Sequence, residues 1–131
     1  MALQISPAAL GRPLADVERV QARVLAWRRD RYERLGALAP EDDEAERVSG
    51  IWVALYWLDG QPVGPFSDGA ADSVDRVLRE ARLGEAVVKG NKPSRYTVYQ
   101  ALGIVQALRW AAGRYDELPG FAPADPHQRS A

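Results

Sequence analysis

Apolar residues recur at three- and four-residue intervals along most of the chain. Val17, Val20, Val24 and Trp27 form one stripe, rejoined by Leu35 and Leu38. They predict a long amphipathic helix from Leu14 to about residue 37, with Pro13 suited to its start. Its outer face alternates Arg19, Arg23, Arg29 and Arg34 with Asp16, Glu18, Asp30 and Glu33. After Pro40, the acidic run 41–46 suits the positive end of a second helix dipole. That helix is expected to carry Val48, Ile51, Leu55 and Leu58 and to stop at Gly60. Residues 51–58 are apolar on all sides, so a buried strand competes, but the run lacks the alternation of a half-buried strand. QPVGPFSDG (61–69) reads as a loop, with Ser67 or Asp68 as cap of the next helix. Val74, Val77, Leu78 and Ala81 mark that shorter helix. GEAVVKGNKP (84–93) reads as a connection, extended at 86–88. Ser94 is then expected to cap a last helix carrying Val98, Ala101, Leu102, Val105, Leu108 and Ala112.

Two of these stretches share a pattern. GIWVALYWLDG (50–60) and GIVQALRWAAG (103–113) both read G-I-x-x-A-L-x-W-x-x-G. ADVERV (15–20) is echoed in the same order by ADSVDRV (71–77). The expectation is therefore an all-α, antiparallel four-helix bundle built from two related hairpins, 14–60 and 71–113, in a pseudo-twofold arrangement. A single domain spans 13–115 in this reading, with flexible segments at 1–12 and 116–131. Gly50, Ala54 and Trp57 fall on one side of a helix, as do Gly103, Ala107 and Trp110. Small residues allow another backbone to approach, and each tryptophan covers the edge of that contact. On the last helix, Tyr99, Gly103, Gln106, Ala107 and Trp110 form a second side, opposite its main apolar face. That side packs on helix 41–59, or else serves a homodimer seam.

Composition narrows the chemistry. The 131 residues include no cysteine and carry a formal charge of −1, so thiolate catalysis and cysteine-ligated metals are excluded. The single histidine, His127, sits in a Pro-rich, aperiodic end segment, away from any expected core. No apolar run reaches the roughly 20 residues needed to span a bilayer. The N-terminal residues lack a secretory pattern, so the expected setting is the cytoplasm.

Two local patterns suggest chemistry. Arg76, Arg79, Arg82, Lys89, Lys92 and Arg95, against Glu80 and Glu85, make 76–95 basic. Within it, Ser-Arg-x-Thr-Val-Tyr-x-x-Leu (94–102) resembles the recognition helix of helix-turn-helix regulators. That resemblance implies nucleic-acid contacts from Lys89, Lys92, Arg95, Tyr96 and Thr97 in residues 89–100. Its connection is longer than the motif's tight turn, and the helix continues with a strongly apolar face. Asp43-x-x-Glu46 with Asp72-x-x-Asp75 is similar to the carboxylate pairs of all-helical nucleotide pyrophosphohydrolases, which implies Mg²⁺. Aspartate replaces glutamate at several of the defining positions, and no catalytic, metal or cofactor residue is assigned.

The preferred functional reading is a small non-enzymatic interaction or assembly module that binds a protein partner or itself. A DNA-binding regulator ranks second and a Mg²⁺-dependent nucleotide hydrolase third. Loop 61–69, with Phe66 between prolines and glycine, is the most partner-like segment.

Overall fold

The computed structural model describes residues 5–36 and 42–121. Ala37, Leu38, Pro40, Glu41 and His127 lie outside them. The chain is an all-α bundle of four helices, α1 (Leu14–Leu35), α2 (Asp43–Leu58), α3 (Val74–Val88) and α4 (Val98–Ala111). The ambiguous run 51–58 is helical, and no strand forms among the described residues, only an isolated bridge between Val63 and Asp68.

Helix α4 is the centre of the fold, packed against α2 and α3. The contact with α2 is reciprocal. A Cβ placed on Gly50 would lie 1.9 Å from the Gln100 carbonyl oxygen, and one on Gly103 would lie 1.9 Å from that of Arg47. Each glycine thus rests on the backbone three residues before the other, as a twofold between α2 and α4 requires. The six shared positions of the repeat match throughout. Ile51 and Ile104, Ala54 and Ala107, Leu55 and Leu108, and Trp57 and Trp110 are all buried. Gly60 and Gly113 both end their helices with positive φ (94° and 85°), a conformation that favours glycine. Each tryptophan also lies under a guanidinium, Arg76 at 5.0 Å from the Trp57 ring and Arg12 at 4.3 Å from that of Trp110.

Packing around this centre is uneven. Helix α3 lies along α4, and Gly84 admits Phe66 and Val105 where a Cβ would stand 2.6 and 2.7 Å from their side chains. Helix α1 meets α2 over a short stretch and buries Val17, Val20 and Val24, all in its first half. Residues 12–23 are also tied to α4 and the segment after it. Arg12 donates to the carbonyls of Trp110 and Tyr115, and Arg23 donates to that of Phe121.

Several boundaries differ from the sequence-based expectations. Neither end segment is wholly loose. Ile5 and Ala9, the latter in a short 3₁₀ turn (Pro7–Ala9), are buried, as are Leu118 and Phe121. The packed domain thus reaches beyond 13–115 in both directions. Helix α3 is capped by Ser73, whose hydroxyl accepts from Arg76 N, instead of by Ser67 or Asp68. Residues 86–88 are its last turn instead of an extended piece. Helix α4 is capped by Thr97, not Ser94. Thr97 and Gln100 form a reciprocal capping box that satisfies two otherwise free backbone N–H groups.

Candidate functional site

Among the described residues, the most elaborate polar structure lies behind loop 61–69. Arg76 and Glu80 are one helical turn apart on α3 and share its inward side with Val77, Ala81 and Gly84. Both are buried, Glu80 completely, and Arg76 Nη1 donates to Glu80 Oε1 at 2.6 Å. The rest of the carboxylate is given to the loop. Oε2 accepts from the backbone N–H groups of Phe66 (2.5 Å) and Ser67 (3.0 Å), and Oε1 accepts from the Ser67 hydroxyl. Arg76 Nη2 donates to the carbonyls of Asp68 and Gly69, and Trp57 Nε1 donates to Gly69 as well. Among the described residues, no buried side-chain nitrogen or oxygen lacks a partner.

A buried ion pair loses hydration that its mutual attraction only partly restores, so it is weak as a stabilising device. Its consequence here is geometric, because four loop backbone groups and one hydroxyl are held at fixed positions. Phe66 is turned inward against Gly84 and meets Tyr96 edge-on, with ring centres 5.8 Å apart. The outer wall of the loop is left to Pro62 and Val63, which are exposed, while Pro65 is buried behind them.

That wall faces residues 92–96 across two adjoining open grooves of about 310 and 320 Å³. The first is lined by Val53, Tyr56, Val63 and Tyr96, and the second by Phe66, Leu83, Val87 and Lys92. Pro65 and Arg95 line both. Tyr56 and Val63 are 56% and 58% exposed, large values for apolar side chains so close together.

The sequence-derived candidates separate into two groups. Gly50, Ala54, Trp57, Gly103, Ala107 and Trp110 are buried within the chain, and of these Trp57 also lines the first groove. Tyr99 is half-exposed, and its hydrogen bond to Asp43 raises its pKa. Lys89, Lys92, Arg95 and Thr97 are exposed, and Tyr96 is partly buried. Lys89 is engaged by Glu85, and the Thr97 hydroxyl is used in the cap. The first turn of α4 is exposed at Val98 and Tyr99, and beyond it Leu102, Gln106 and Arg109 are half-buried while most of the other residues are buried against α2 and α3. Among the described residues, no three His, Asp or Glu side chains are grouped to hold a metal, and no helix is long and apolar enough to cross a membrane.

Sequence reasoning missed the Arg76–Glu80 pair. The signal was present, since 73, 76–77, 80–81, 84 and 87 form a continuous helical side containing Ser73, Val77, Ala81 and Gly84. No protein-family model, curated protein or solved structure matches the chain.

Proposed function

We propose that the chain is a small non-enzymatic interaction module that docks a protein partner on the face between loop 61–66 and residues 92–96. The observation that carries this reading is the loop itself. Its inner side is fixed by a fully buried carboxylate, while its outer side presents Pro62 and Val63 next to Tyr56 and Tyr96. A preset wall lowers the ordering entropy of association, which is how a modest surface gains affinity. The grooves are shallow and open, and their lining contains no carboxylate or imidazole for proton transfer. The same reading takes the cytoplasm as the protein's setting.

The test is retention of a partner from source-cell lysate by the immobilised chain, compared with Val63→Asp and Tyr56→Ala. The expected result is a partner, identified by mass spectrometry, that falls at least about tenfold with either variant while the helical circular dichroism is unchanged. Equal retention by the variants, or no retained partner, overturns the reading.

A further inference from the structure

The charges around the two grooves point to the chemistry of the occupant. Lys92 and Arg95 are the only charged residues that line them, and both are cations. Among the described residues neither forms an ion pair, whereas neighbouring Lys89 is tied to Glu85, which Arg109 also binds. Arg95 is positioned without being neutralised. Its guanidinium lies 5.0 Å from the centre of the Tyr96 ring and donates to the Tyr96 hydroxyl. It is therefore an exposed positive charge shared by the two grooves, with Val63 and Tyr56 lining one and Leu83 and Val87 lining the other.

Resting on the docking face described above, we propose that its occupant is an extended acidic segment of a partner protein. A carboxylate of that segment meets Arg95, a second acid meets Lys92, and an apolar side chain enters the groove beside Tyr56 and Val63. Two short grooves that share Pro65 and Arg95 in their lining suit successive side chains of an extended strand. A helix would need one continuous trough for residues three and four apart. Carboxylate–guanidinium pairing supplies direction and on-rate, and the apolar insertion supplies most of the burial. Two cations neutralise few phosphates, and nucleic-acid affinity rises with the number neutralised, so the surface favours the peptide.

The experiment is selection of a random dodecapeptide display library on the full chain and on the Lys92→Glu/Arg95→Glu variant. Both substituted residues are exposed, so the helical spectrum should be unchanged. The wild type is expected to enrich sequences with several acids flanking an apolar residue, and the charge-reversed variant to enrich basic ones. A synthetic peptide from the acidic pool should bind the wild type at least about tenfold more tightly than Arg95→Glu, with affinity falling as salt rises. Peptides enriched without regard to charge, yet lost with Val63→Asp, would overturn the acidic partner and leave the docking face standing. No enrichment, or enrichment indifferent to Val63→Asp, would overturn both. Tighter binding of a labelled single-stranded oligonucleotide than of any selected peptide would also overturn the proposal.

Discussion

At the residue scale, Gly50 and Gly103 have the most sharply defined roles. An alanine in a helix interior is ordinarily better than glycine by about 1 kcal/mol. Here the added methyl would meet a backbone carbonyl oxygen at 1.9 Å, and a backbone cannot step aside as a flexible side chain can. Separation of α2 and α4 should dominate. Gly50→Ala and Gly103→Ala are each expected to destabilise by about 1–3 kcal/mol, and by similar amounts, since their contacts are reciprocal. Urea denaturation checks this, and a stabilised or strongly unequal pair would contradict it. Both glycines were legible in the sequence, because the repeat marks positions where small size recurs. What each one touches was not legible, since contact depends on the angle at which the helices cross.

At the element scale, the lesson lies in α3 and the loop before it. Arg76 and Glu80 have the i, i+4 spacing of an ordinary surface pair, and the upstream echo of Arg76, Arg19, is exposed beside Asp16. Burial of the second pair depends on loop 61–69 folding over it, which the α3 sequence alone does not specify. Removing one member leaves the other charged and enclosed. Glu80→Ala is expected to destabilise by about 3–5 kcal/mol and to speed amide exchange at Phe66 and Ser67, whose N–H groups it accepts. Exchange at those two amides separates this loss from a general softening. Protection equal to wild type would show that the loop holds its shape without the carboxylate. The cap assignments follow the same logic. Ser67, Ser73, Ser94 and Thr97 are all chemically competent caps, and the fold chose among them by placing Ser67 on Glu80 and pairing Thr97 with Gln100.

At the scale of the whole molecule, exposed carboxylates at helix ends link stability to pH. Asp42 accepts from Ala45 N at the start of α2 and faces Arg31, which holds its carboxyl below the ordinary range. Glu85 is held low by hydrogen bonds from Arg109 and then Lys89. A carboxylate with a depressed folded pKa stabilises above its unfolded value, and that contribution is lost as pH falls through the folded value. Tyr99 behaves oppositely. Its hydrogen bond to Asp43 raises its pKa, so its contribution is complete below the ordinary tyrosine value and lost as pH climbs through the raised one. The expected urea midpoint is flat near neutrality, falls below about pH 5, and falls again in strong alkali. Asp42→Asn/Glu85→Gln should flatten the acid limb and Tyr99→Phe the alkaline one. An unchanged acid limb in the double variant would assign it to other groups.

The sequence by itself determined the number and approximate extent of the helices and the equivalence of 50–60 with 103–113. These follow from local periodicity and from residue size, properties each segment carries alone. Only the tertiary structure decided that both apolar sides of α4 are consumed inside the chain, which removes Gly103, Ala107 and Trp110 from any external surface. It alone placed Leu118 and Phe121 in the core and brought Val63 and Pro65 opposite Arg95. Those relations join residues far apart in the chain, and which of many compatible pairings forms is settled when all the apolar surfaces are buried together.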